Sequence, residues 1–355
     1  MRSPNRKFCF LLLPLLTVLA VALLGGCTKA AQQQEKTGAK EKITLKLAHS
    51  FPENHYLAKE GGVYWAETVK NLTQGRVEFQ IYPAEQMGKA DVLLDQVRNK
   101  VVDVAYVGVG YFSDKLPLST VGQLPADYLS SCQGTKAYWN LLSNNLIEKE
   151  FTPNNVRPVF AVVLPPYQIV TVDKKINSLN DLKGLKIRTA GIQSLICEAT
   201  GGTSVNLPAP EIFTAMQRKV VDGTYLPFVS FKPYQIEKIA KYSTSNVNMG
   251  TFAVTYCINE SVWQSLPKDI QQAMIQAGKA TMENLCRYQD ENTQKLIQEF
   301  KAMGINIYEV DQKTLSELNQ RIKPVLDDWA AKLDKRGLPG TETLRAYEKA
   351  VADAK

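Results

Sequence analysis

The sequence predicts an α/β protein of two lobes with one long helix laid across both, and three observations carry that prediction. Segments with strand and helix periodicity alternate along most of the chain. Beyond the N-terminal leader and tether, roughly 310 residues remain, a long stretch for one hydrophobic core. The 37 residues from Pro267 to Met303 contain no breaker stronger than Gly278. At 1.5 Å per residue they make about 55 Å of helix, more than the width of one lobe.

At the N-terminus, Arg2, Arg6 and Lys7 precede an apolar run from Phe8 to Leu24. Its length and Pro14 fit the apolar core of a secretion signal better than a membrane-spanning helix. Leu24-Gly25-Gly26-Cys27 matches the lipobox of bacterial lipoproteins, in which the cysteine thiol accepts diacylglycerol. Residues 1–26 are therefore expected to be removed, and Cys27 to anchor the exported chain at a membrane surface. The polar stretch from Thr28 to Lys40 is too poor in apolar residues to fold and serves as a tether, with 27–42 as its bounds.

Ile43, Leu45 and Leu47 alternate with polar residues, as in a strand buried on one face. Leu57, Trp65, Val69 and Leu72 then fall at helical spacing, and Val77, Phe79 and Ile81 alternate again. A helix from about Ala90 to Lys100 leads into an apolar strand, Val101–Val107. This βαβαβ order implies a mostly parallel sheet. Val159–Leu164 and Ile169–Val172 are strands separated by Pro165-Pro166. The turn at Lys183-Gly184 opens a strand through Arg188, followed by a helix from about Glu211 to Lys219 and a strand Val220–Tyr225. Pro267 sits at the first turn of the long helix. A strand Ile305–Val310 and two amphipathic helices complete the chain.

The formal charge of +7 falls to +4 once Arg2, Arg6 and Lys7 leave with the signal, which is no nucleic-acid signature. Cys132, Cys197, Cys257 and Cys286 could pair outside the cytoplasm, but their spacing gives no connectivity and a chain of this size does not need staples. The two histidines, His49 and His55, share one segment with no cysteine nearby, so no closed zinc site is expected. GxSxG, Walker and HExxH motifs are absent. Gly108-Val109-Gly110 has Ser113 where a dinucleotide loop needs its third glycine, and reads as turn chemistry. No cofactor is implied, and the balance moves from catalysis toward binding.

Arg188 stands at the end of a strand in an α/β lobe, where ligand clefts form, and its planar guanidinium can grip a carboxylate through two parallel hydrogen bonds. Asp222, between a strand and Gly223, is expected to satisfy backbone amides. Leu179-Asn180-Asp181-Leu182-Lys183-Gly184-Leu185-Lys186-Ile187-Arg188, then Pro208-Ala209-Pro210-Glu211-Ile212-Phe213-Thr214-Ala215-Met216-Gln217 and Val220-Val221-Asp222-Gly223, resemble the signature of DctP-type receptors. These are the substrate-binding subunits of tripartite ATP-independent periplasmic (TRAP) transporters. Ala48-His49-Ser50, Gln86-Met87-Gly88 and Leu266-Pro267 add to the resemblance, which covers residues 43–345 in order.

The resemblance implies a two-lobed periplasmic-binding-protein-like fold of type II kind, with residues 43–165 plus about 254–293 in lobe I and 166–253 plus about 294–355 in lobe II. It implies that Arg188 binds a ligand carboxylate, that the lobes close by a hinge motion, and that a membrane permease driven by an ion gradient is the partner. Some family members carry a second arginine at the position of Gln168, many an asparagine at that of Leu226, and sialic-acid receptors a glutamate at that of Gly108. With these polar contacts missing and Phe51, Tyr106, Tyr167, Tyr225, Phe228 and Phe231 near the expected pocket, the ligand reads as a small or aromatic monocarboxylate of 2-oxo acid type rather than a dicarboxylate or sugar acid. The expected ligand-binding set is Arg188, Gln168, Tyr167, Tyr225, Phe228, Tyr106 and Phe51. The chain is not expected to be an enzyme; a sensor accessory and an exported α/β hydrolase or isomerase are the competing classes.

Overall fold

The computed structural model describes residues 42–128 and 130–354. Cys27, the signal and most of the tether lie outside them. β1 (Ile43–Ala48) is followed by a wide-wound helical turn, Leu57–Val63, that runs into α1 (Tyr64–Leu72), then β2 (Val77–Tyr82), α2 (Leu93–Arg98) and β3 (Val104–Gly108). The βαβαβ prediction holds here, with β1 parallel to both β2 and β3. α3 (Ser131–Leu141), a stretch with no strong sequence signal, precedes β4 (Val156–Val163).

The chain then builds a second sheet from β5 (Gln168–Thr171), β6 (Lys186–Thr189), α4 (Gln193–Ala199), β7 (Thr203–Asn206), α5 (Ile212–Gln217), β8 (Gly223–Leu226) and β9 (Tyr242–Thr244). It returns to the first sheet with β10 (Ala253–Asn259). α6 (Glu260–Ser265) and the long α7 (Lys268–Ala302) follow, then β11 (Asn306–Tyr308) in the second sheet, α8 (Gln312–Lys335) and α9 (Gly340–Asp353). The strand orders are β2-β1-β3-β10-β4 and β11-β9-β5-β8-β6-β7.

Both sheets are mixed rather than mostly parallel, and the reason is geometric. β3, β4, β6 and β8 end where the two sheets face each other, whereas β10 and β5 begin there because the chain has just crossed over. A strand that starts at that edge must run away from it, so β10 is antiparallel to β3 and β4, and β5 is antiparallel to β8. The two crossing segments are bonded to each other: Tyr167 N–H donates to Gly250 O, Met249 N–H to Tyr167 O, and Leu164 N–H to Phe252 O.

α7 crosses both lobes, as its length requires. Its buried Ile270, Met274, Ala277, Met282 and Leu285 join the core of the first sheet. Farther along, Ile297 and Phe300 join that of the second, where the Phe300 ring lies 5.1 Å from that of Phe231. Gly278 does not break the helix because it lies directly against β4, where any Cβ would overlap the Val159 carbonyl oxygen. Two aspartates play matching roles: Asp103 accepts from Lys46 N–H at 2.7 Å in the first sheet, and Asp222 from Lys186 N–H at 2.8 Å in the second.

Cys132 and Cys286 form a disulfide that ties the start of α3 to α7, correcting the expectation that a chain of this size does without one. The staple sits where α3 has little apolar surface of its own and where Asp290 of α7 accepts from the Ser131 and Cys132 amides. Closing a loop whose ends lie 154 positions apart removes much unfolded-state entropy. Replacing both cysteines by alanine is expected to cost about 3 kcal/mol in urea unfolding. A change under 0.5 kcal/mol would mean that packing alone holds α3. Cys197 and Cys257 are free and buried; burial raises their thiols to about 11 and about 12, so they remain protonated.

Candidate functional site

The carboxyl ends of β3, β6 and β8 meet at the edge shared by the two sheets, the place where open α/β folds form ligand crevices. An enclosed pocket lies there, with Phe51, Tyr106, Tyr111, Tyr167, Tyr234 and Phe252 as aromatic walls and Arg188 as the one charged lining residue among those described. The cavity volume is about 20 Å³. That admits about one water, so an organic ligand requires the walls to part.

Arg188 projects from β6 and is only 1% exposed, although the residue type is almost never fully buried without a partner. Its Nε donates to Leu207 O at 2.8 Å, and Nη2 makes a long contact of 3.5 Å with the Tyr111 hydroxyl. Among the described residues no carboxylate pairs with it, while fifteen other Lys/Arg–Asp/Glu ion pairs form on more exposed side chains. An uncompensated buried cation costs several kcal/mol, a cost that an anion in the pocket would offset.

The tyrosine walls are neutral hydroxyls and the phenylalanine walls are apolar. Burial pushes the Tyr106, Tyr167 and Tyr234 hydroxyls well above the ordinary tyrosine value, and the Arg188 charge only partly offsets this for Tyr167 and Tyr234. Behind Phe51 and Tyr234 lies His55, with ring centroids at 4.7 and 4.9 Å. Its Nδ1 accepts from Leu57 N–H at 3.0 Å, so the ring is neutral with its proton on Nε2. Burial lowers it to about 3 and His49 to about 4.

Of the residues singled out in the sequence, Arg188, Tyr167, Tyr106 and Phe51 line the pocket. Gln168, Tyr225 and Phe228 do not. Strand alternation explains the first two, since neighbours of a pocket residue face the other way. The Gln168 amide donates to Val247 O at 2.9 Å and accepts from Thr244 Oγ1 at 3.1 Å, next to the inward Tyr167. Tyr225 lies beside the inward Leu226 and turns toward Cys197. Phe228 packs on Phe231 in the second core, with centroids 5.2 Å apart.

Sequence reasoning missed Tyr111, Ser230, Tyr234 and Phe252. The signal for Tyr111 and Ser230 was available: each follows the carboxyl end of a strand, β3 or β8, within a few residues, and Arg188 lies close to the end of β6. A larger groove of about 840 Å³ lies on the surface between α3 and α7 beside Trp139 and Met282, but it is open and contains no buried charge.

A sequence model of the DctP family, bacterial extracellular solute-binding protein family 7, matches residues 47–333. The chain is 25% identical over 338 residues to the outer membrane transporter protein TsaT of Comamonas testosteroni, covering 92% of this chain and 95% of that protein. It is 23% identical over 350 residues to the C4-dicarboxylate-binding periplasmic protein DctP of Rhodobacter capsulatus, covering 96% of this chain and 100% of that one. Among solved structures, a TRAP solute-binding protein from Rhodoferax ferrireducens with copurified benzoate superposes with a TM-score of 0.81 at 23% identity, covering 88% of this chain and 98% of that chain. The two mixed sheets, the shared edge and the long helix are thus the fold of that receptor class, and the chain belongs to the DctP family of bacterial extracellular solute-binding proteins.

Proposed function

We propose that this TRAP solute receptor captures an organic acid by its carboxylate on Arg188, between lobes bounded as residues 43–165 plus about 254–293 and 166–253 plus about 294–355, and delivers it unchanged to an ion-gradient-driven permease. The observation that carries the reading is the buried Arg188 guanidinium, aimed at the pocket with no carboxylate partner among the described residues. One cation supports one carboxylate. The Gln168 amide, where a second arginine would stand in some relatives, is spent on Val247 and Thr244. Six aromatic walls favour a small or aromatic monocarboxylate of 2-oxo acid type over a dicarboxylate, in keeping with the benzoate of the related structure. Lipid on Cys27 would hold the receptor beside its permease and raise the effective concentration of each for the other.

A thermal-shift screen of the purified protein against organic acids tests the reading. A ligand at 100 times its Kd adds about 2.7 kcal/mol of stability. Monocarboxylates such as benzoate and phenylpyruvate are expected to raise Tm, with succinate and malate trailing. Dicarboxylates leading the screen would overturn the ligand class, and no response to any acid would overturn the receptor assignment of Arg188.

A further inference from the structure

Tyr111 sits on the turn after β3, in the first lobe, yet its hydroxyl is engaged by two groups of the second. Ala209 N–H donates to it at 3.0 Å, and Arg188 Nη2 approaches at 3.5 Å. A phenolic oxygen has two lone pairs and one hydrogen. Both lone pairs are directed at donors across the cleft, which leaves the O–H hydrogen for the pocket that Tyr111 lines. The segment that supplies Ala209 also fixes the arginine, because Leu207 O receives Arg188 Nε at 2.8 Å. Two residues farther on, Glu211 pairs with Lys89 of the first lobe at 3.1 Å on the exposed rim. Residues 207–211 thus touch the guanidinium, the pocket wall and the opposite lobe within one turn of chain.

We infer that Tyr111 is the residue that couples seating of the carboxylate to closure of the cleft, a proposal that rests on Arg188 being the carboxylate site. With the lobes apart, Tyr111 loses Ala209 and Arg188 together. With them together, its hydroxyl completes the donor set around the anion and holds the arginine's Nη2 edge toward the ligand. Tyr111 is therefore a positioning residue acting through Arg188, and the Lys89–Glu211 pair is a rim contact of little weight because Lys89 is exposed and Glu211 only half-buried.

The test compares wild type, Tyr111→Phe and Lys89→Ala in stopped-flow binding of benzoate, mandelate, phenylpyruvate and succinate, and in small-angle scattering with and without acid. Tyr111→Phe keeps the ring and removes only the hydroxyl. It is expected to speed ligand dissociation about tenfold with association within twofold, and to leave the liganded protein with a larger radius of gyration than liganded wild type. Lys89→Ala is expected to change dissociation less than twofold. A Tyr111→Phe variant with wild-type dissociation and wild-type compaction would overturn the inference while leaving Arg188 as the site. Slower association with unchanged dissociation would also overturn it, since that assigns Tyr111 to entry rather than closure. Should wild type bind none of the acids, the receptor reading itself fails and this inference falls with it.

Discussion

Replacing Arg188 by alanine is expected to weaken binding of every carboxylate ligand by roughly a thousandfold, and to leave the ligand-free protein at least as stable as wild type. The two halves of this expectation have one cause. Nε is occupied by Leu207 O, so the outer edge of the guanidinium remains to grip an anion. Two charge-assisted hydrogen bonds in a water-poor pocket contribute about 4 kcal/mol, which is three powers of ten in Kd. Without ligand, the same charge is buried against aromatic rings at a desolvation cost, and its removal relieves that cost. Calorimetric titration with the leading acid and urea unfolding of the free protein measure the two effects separately. An affinity within tenfold of wild type would remove Arg188 from the site. A large loss of stability would instead make it a structural residue. Arg188→Lys should recover little, because an ammonium does not offer the two parallel donors of a guanidinium.

Acid should destabilise the protein more steeply than its carboxylates alone require. His49 and His55 are held neutral by burial, at about 4 and about 3 against an ordinary 6.5. Because the folded values are depressed, both groups are neutral in folded and unfolded chains above pH 7 and cost nothing there. Below pH 6.5 the unfolded chain takes up two protons that the folded chain does not, so stability falls as pH falls. Integrated from pH 7 to pH 4, the loss is on the order of 6 kcal/mol, a large part of the 5–15 kcal/mol typical of a domain. Melting temperatures across that range should therefore drop sharply below pH 6. His55→Asn, whose side-chain oxygen can replace Nδ1 as acceptor for Leu57 N–H, should flatten the slope by about half. A wild-type profile that stays level to pH 5 would mean that one or both imidazoles reach water in the folded state.

Much of this architecture was legible because it follows from local periodicity. The alternation at Ile43–Leu47, the breaker-free run after Pro267 and the turn at Lys183-Gly184 translate directly into β1, α7 and β6. The antiparallel insertion of β10 and β5 was not legible, since it depends on the chain crossing between sheets, which no window of sequence records. The same holds for Cys132–Cys286, where helices far apart in sequence meet. At the site, Arg188 was found because strand-end position and charge are both written in the sequence. Gln168 and Tyr225 lie one place from true wall residues, where a period of two turns proximity into exclusion. Tyr234 comes from a short helical turn, Lys232–Tyr234, whose direction only the assembled lobes define.

The long helix has a mechanical consequence for ligand exchange. Its two anchored ends, Ile270 to Leu285 in one core and Ile297 to Phe300 in the other, leave a span around Tyr288 to Leu296 in which Gln289 is the deeply buried side chain and the rest are half-buried or exposed. Were the lobes to part, that thinly packed span is where α7 would bend, since its two ends are held in separate cores. Stiffness there would set how far the jaws separate and how quickly they snap back. A receptor tuned for fast cargo turnover could thus be made slower or faster by residues that never approach the cargo.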